Sequence, residues 1–69
     1  MSPLMLRQLW VLVEASQTST LLGLDDNNLV QWLLRQFRAE RSLDHNETDV
    51  LVTYIHSKLS LIRDMAQER

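Results

Sequence analysis

DHNETDVLVTYIHSKLSLIRDMAQ, residues 44–67, is the stretch that decides the fold of this 69-residue chain. Asp44 can serve as an N-cap, and Glu47 stands three residues later, where its side chain can reach back to form a capping box. Asp49 adds a carboxylate near the positive end of the helix dipole. We therefore predict a helix over residues 45–67, with a length of about 34 Å at 1.5 Å per residue.

Apolar residues form two stripes on this predicted helix. The residues of the first stripe recur at helical spacing, which is typical of a helix face that packs into a core. The first stripe consists of Leu51, Val52, Ile55, Leu59, Ile62 and Ala66. The second stripe, beside it, consists of Val50, Tyr54, Leu61 and Met65. Because second stripes of this kind commonly face a neighbouring helix, we expect this one to be covered.

A first helix is predicted over residues 3–20. Ser2 is a suitable N-cap, and Pro3 fits the first helical position, where its missing N–H costs nothing. Weak helix formers follow Ala15, so we place the end of the helix between residues 17 and 22. Gly23 is a candidate for the left-handed glycine that often follows a helix.

A second helix is predicted over residues 26–41, with Asp25 or Asp26 as its cap. Its apolar residues recur at helical spacing, while arginines and glutamines occupy the opposite side. Together the three helices predict a core built from Leu9, Val13, Leu29, Leu33, Phe37, Leu51, Ile55, Leu59 and Ile62.

Turn-forming residues are scarce, because the chain holds one glycine and one proline. A sheet protein of this length needs more of them at its turns. The predicted class is therefore all-α: a three-helix antiparallel bundle, or a helical hairpin with a long C-terminal helix, formed by residues 1–69 as one domain and expected to be dimeric. A chain this short buries only about 60% of the surface that its unfolded form exposes, so its core is marginal without support.

Several classes of function are disfavoured by composition. Without cysteine there can be no disulfide, thiolate metal site or cysteine nucleophile. A net charge of −2 disfavours nucleic-acid binding, since such domains of this size are usually basic. No apolar run approaches the length of a membrane span, and Arg7 interrupts the apolar N-terminus, so we expect neither a membrane anchor nor a signal peptide. A cytoplasmic location is the resulting expectation.

Catalytic and metal sites are not expected. His45 and Asp49 stand four residues apart, but two ligands do not make a metal site. The carboxylates at the helix starts are explained as caps, and no nucleophile and base have a recognisable spacing. We expect no cofactor and no enzymatic activity.

Arg35, Arg38 and Arg41 recur every three residues on one side of the second helix. This spacing is typical of the solvated face of an amphipathic helix. The same stripe could instead contact phosphate or an acidic partner. A helix-turn-helix is disfavoured, because the start of the third helix would present acidic residues to the DNA backbone.

Tryptophan is enriched at the centres of protein interfaces, so Trp10 and Trp32 are candidate interface anchors as well as candidate core residues. We favour Trp32, because it points away from the main apolar face of its helix. Tyr54 and Leu61 are its expected companions. The predicted interface set is Trp10, Trp32, Tyr54, Leu61 and Met65.

Three segments of the chain give it a family resemblance: MSPLMLRQLW at the N-terminus, the LDD that precedes LVQWLL, and the closing LIRDMA. The chain resembles small all-helical proteins of cyanobacteria over its whole length. The resemblance implies a bacterial cytoplasmic protein. It transfers no activity, because none of these segments is a catalytic signature.

A surplus of apolar surface on so short a chain predicts a non-enzymatic protein–protein interaction module. A homodimer formed by uncovered helix faces is the expected arrangement, and another protein is the other candidate partner. The alternative is a small nucleic-acid-binding regulator that uses the arginine stripe.

Overall fold

Four helices and no strand make up the structure, a computed structural model that describes all residues 1–69. The predicted all-α class is confirmed. The helices are α1 (Pro3–Ala15), α2 (Thr18–Gly23), α3 (Asp26–Glu40) and α4 (His45–Gln67).

The predicted helix starts are confirmed. The Ser2 hydroxyl accepts a hydrogen bond from the Met5 amide of α1, and Asp25 caps α3. At α4 both halves of the capping box are present. The Glu47 amide donates to Asp44 Oδ1 at 2.7 Å, and the Asp44 amide donates to Glu47 Oε1 at 3.1 Å. Local side chains therefore set the start of α4, and its bounds are those predicted.

The first predicted helix, residues 3–20, is wrong in its extent, because the chain leaves the helical conformation at Ser16 and starts α2 at Thr18. Ser16 adopts an extended backbone, and its hydroxyl donates to the Leu12 carbonyl at 2.7 Å. This bond satisfies a carbonyl that the end of α1 leaves without a helical partner. The structure therefore has four helices, not three.

Gly23 is the last residue of α2, and no glycine in the chain has a positive φ. The expected left-handed glycine is therefore wrong. A Cβ placed at Gly23 would meet no atom within 4 Å. The helix ends here without needing the conformational freedom of glycine.

A single cluster of 14 buried apolar residues forms the core. All nine predicted core residues belong to it. The cluster also includes Met5, Leu21, Val30, Leu34 and Ala66. Leu21 is fully buried, so α2 is anchored in the core although it is only six residues long.

Helix α3 packs against both α1 and α4, and α2 packs against α4. Contacts near the helix ends show how α3 and α4 are oriented relative to each other. Arg38, near the end of α3, contacts Thr48 near the start of α4, while Asp26 at the start of α3 contacts Arg63 near the end of α4. The two helices are therefore antiparallel. Helices α1 and α4 approach each other less closely, which leaves a groove between them.

Candidate protein-interaction surface

An open groove of about 560 Å³ separates the N-terminal part of α1 from the first half of α4. Its apolar walls come from Leu6 on α1 and from Val50 and Tyr54 on α4, with Met1 at one end. Asp49, Thr53 and Ser57 form the polar part of its lining. No second pocket of comparable size is present.

Trp10 and Tyr54 join the two helices at this groove. The Trp10 Nε1–H donates a hydrogen bond to the Tyr54 hydroxyl at 3.2 Å, and the rings meet edge to face with centroids 6.4 Å apart. The Lys58 ammonium lies 5.7 Å from the centre of the Tyr54 ring. A ring held by a hydrogen bond, an edge contact and a cation is fixed in place before any partner arrives.

The second stripe of α4 continues from the groove along the same side of the molecule. Val50 and Leu61 each expose 47% of their surface, while Tyr54 and Met65 are half-buried. We call the surface formed by Leu6, Trp10, Val50, Tyr54, Leu61 and Met65 the α1–α4 face. Four of the five predicted interface residues belong to this face.

Trp32 is the predicted interface residue that lies elsewhere. It belongs to α3, which contributes nothing to the groove, and its half-buried side chain packs against the core. Tyr54, its expected companion, contacts Trp10 instead. Trp10 therefore lies at the α1–α4 face, whereas Trp32 lies on α3.

Two of the three stripe arginines have partners within the chain. Arg38 donates to the Thr48 hydroxyl at 3.0 Å, and Arg41 donates to Gln8 Oε1 at 3.1 Å. Arg35 is exposed and makes no side-chain hydrogen bond or ion pair. Both engaged arginines tie α3 to another helix, so the stripe contributes to packing of the bundle.

Arg63 carries out a structural role that its sequence position does not indicate. Its guanidinium donates at 2.8 Å to the carbonyls of Leu21 and Leu24, where α2 ends, and at 2.9 Å to Asp26 at the start of α3. No local pattern identifies this role, because the three partners lie 37–42 residues away along the chain.

Arg69 acts in the same way at the end of α1. It donates to the carbonyls of Val13, Glu14 and Ser16 at the C-terminal end of α1, where the Val13 carbonyl also accepts from the Ser16 amide. Arg63 and Arg69 thus cap the ends of α2 and α1, which are the two helix ends that were hardest to predict from the sequence.

No group of three or more candidate ligands that could hold a metal is present anywhere in the chain. His45 Nε2 lies 3.5 Å from Asp49 Oδ2, and both side chains are strongly exposed. None of the four helices combines the length and the apolar character required to cross a lipid bilayer.

No protein-family model matches this chain, and no curated protein or solved structure is detectably similar to it.

Proposed function

We propose that this chain is a non-enzymatic protein–protein interaction module that self-associates through the α1–α4 face. The observation that carries the proposal is the second stripe of α4. Apolar side chains at Val50, Tyr54 and Leu61 share one side of the helix; Val50 and Leu61 are each 47% exposed, and Trp10 of α1 covers Tyr54 only in part. Because the stripe adjoins an open groove, a partner could contact both helices at once.

Burial of this face would supply useful free energy. Complete burial of a valine or leucine side chain is worth about 1.5–3 kcal/mol. Val50 and Leu61 are each about half exposed, so covering each of them contributes about 1 kcal/mol. Trp10 and Tyr54 add aromatic surface of the kind that dominates interface energetics, and their fixed geometry lowers the entropy lost on binding.

The arginine stripe supports the nucleic-acid alternative less well. Arg38 and Arg41 donate hydrogen bonds to Thr48 and Gln8, and the net charge of the chain is −2. Phosphate binding would have to break these contacts with little gain from the overall field of the protein.

Leu61→Glu tests the proposal, with Val11→Glu as its matched control. Both positions are exposed leucine or valine side chains on a helix, but Val11 lies on the outward side of α1. We expect Leu61→Glu to raise the dimer dissociation constant at least about tenfold, because a carboxylate would be desolvated in the interface. Val11→Glu should leave the constant within about twofold.

Light scattering after size-exclusion chromatography measures the mass of each variant, and circular dichroism measures its helix content. Equal masses for wild type and Leu61→Glu, with unchanged helix content, would contradict the proposal. So would a loss of association in Val11→Glu as large as that in Leu61→Glu.

A further inference from the structure

We infer that residues 16–24 form a strap that opens as a unit while the rest of the fold stays intact, and that Arg63 and Arg69 are the clasps that hold it closed. The strap begins at Ser16, includes α2 and ends at Leu24. Opening of this kind takes place within one chain and needs no second copy. It uncovers the part of α4 against which α2 packs.

Little within the strap favours its own helix. Helix α2 has six residues, and helices shorter than about 12 residues are marginal without tertiary packing. Its N-cap, Gln17, makes no side-chain hydrogen bond to the helix, whereas a side chain caps each of the other three helices. The first turn of α2 has no acidic residue, and its last turn has no basic one. The stability of α2 therefore comes from its contacts with the rest of the chain.

Few residues of the strap belong to the core. Leu21 is its one fully buried apolar residue, Ser16 is also buried, and Leu24 is half-buried against the core. In contrast, α3 and α4 each bury five residues. Release of the strap thus removes one fully buried leucine from the core, while α3 keeps its packing against both α1 and α4.

Extended backbone on both sides of α2 gives the strap two hinges. At Ser16 and Gln17 the backbone angle ψ is 147° and 139°. At Leu24 and Asp25 it is 145° and 171°. The helical hydrogen-bond ladder is interrupted at both places. The strap can therefore move away from α4 without unwinding α1 or α3.

One arginine holds each end of the strap. Arg69 donates to the carbonyl of Ser16, the first residue of the strap. Arg63 donates at 2.8 Å to the carbonyls of Leu21 and Leu24, the last residue. Hydrogen bonds from a charged donor are about twice as strong as neutral ones. Because opening breaks these bonds, the two guanidiniums and the burial of Leu21 together set its free energy.

Amide hydrogen exchange followed by NMR tests the opening in the wild-type chain. The Leu21 amide donates to the Gln17 carbonyl at 3.1 Å, within the strap. Leu33 of α3 and Ile55 of α4 are fully buried in long helices and report unfolding of the whole chain. After correction for intrinsic rates, we expect Leu21 to exchange at least about tenfold faster than Leu33 and Ile55. The exchange of Leu21 should also depend weakly on urea, because a local opening exposes little surface.

Substitution of the clasps tests their role. Arg69→Met removes bonds that are present in the closed chain and absent from both the open and the unfolded chain. It should therefore raise the exchange rates of Leu21 and Leu33 by the same factor, at least about tenfold. Arg63→Met should act in the same way. Arg35→Met is the matched control, since Arg35 is exposed and unpaired, and it should leave both rates within about twofold.

Phe37→Leu separates opening of the strap from unfolding of the chain. Phe37 is buried near the end of α3, whereas the Arg63 clasp contacts Asp26 at the start of that helix. The contacts of Phe37 stay intact when the strap opens and are lost when the chain unfolds. This variant should raise the exchange rate of Leu33 several-fold and leave that of Leu21 unchanged.

Two outcomes would overturn the inference. Equal exchange rates and equal urea dependence for Leu21, Leu33 and Ile55 in the wild-type chain would show that the strap unfolds only with the whole molecule. An unchanged Leu21 rate in both arginine variants, with faster exchange of Leu33, would show that these arginines do not hold the strap. Local exchange of Leu21 that both substitutions accelerate supports it. All chains are compared at one concentration, so that association affects them equally.

Discussion

Arg63 joins three elements through one side chain, and Arg63→Met measures what that junction contributes. Methionine retains the apolar stem and removes the guanidinium, so the hydrogen bonds to Leu21, Leu24 and Asp26 are lost together. Packing of α2 against α4 then depends on Leu21 and its apolar neighbours. The substitution therefore isolates the polar contribution of Arg63.

The expected loss follows from the burial of the group. A hydrogen bond to a charged donor contributes about 1.5–3 kcal/mol when buried, and the Arg63 side chain is 23% exposed. We assign about 1–1.5 kcal/mol to each carbonyl bond, because water can hydrate the freed carbonyls. The ion pair adds at most about 0.5 kcal/mol, since Asp26 is 71% exposed. The free energy of unfolding should fall by about 2–3 kcal/mol.

For a domain of this size that loss lowers Tm by about 10–20 °C. The assay is thermal unfolding followed by circular dichroism, with both proteins at the same concentration because association shifts Tm. Arg35→Met is the matched control: Arg35 is exposed and makes no hydrogen bond, so its loss should change stability by less than about 0.5 kcal/mol. A Tm for Arg63→Met within 2–3 °C of that of Arg35→Met would refute this reasoning.

Two further substitutions test the helix ends and the α3 tryptophan. Gly23→Ala should stabilise the chain by about 0.4–1 kcal/mol, because φ is negative there and the new Cβ meets no atom within 4 Å; urea unfolding measures it, and any destabilisation would contradict the placement of Gly23. Trp32→Ala should lower the free energy of unfolding by about 1.5–3 kcal/mol, since the half-buried ring packs against the core. The dimer dissociation constant of this variant, measured by sedimentation at a temperature where the variant is folded, should change by less than about threefold. A rise of about tenfold in that constant would show that Trp32 is an interface residue.

The sequence predicted most of the fold where local signals act alone. The start of α4 could be read from Asp44 and Glu47, because both halves of a capping box lie within four residues. The core stripes could be read from spacing, since burial on one side of a helix imposes a helical period.

The break after α1 could not be predicted in the same way. Ser16 is a weak signal, and the charged partner that satisfies the freed carbonyls is Arg69, more than 50 residues away. The same holds at the end of α2, where the partner is Arg63. A helix end that depends on a distant side chain has no local signature.

The candidate site was predicted in part, for a related reason. The second stripe of α4 made Tyr54, Leu61 and Met65 candidate interface residues. Spacing within one helix gives no information about which tryptophan lies beside them. That choice depends on how the helices pack, and the structure gives Trp10 the contact with Tyr54.

Sedimentation equilibrium of the wild-type chain at tens of micromolar tests the central claim most directly, because it measures mass without any substitution. If the α1–α4 face is covered by a second copy, the mass is twice the 8.1 kDa of one chain. A single species of 8.1 kDa across that concentration range would contradict the claim.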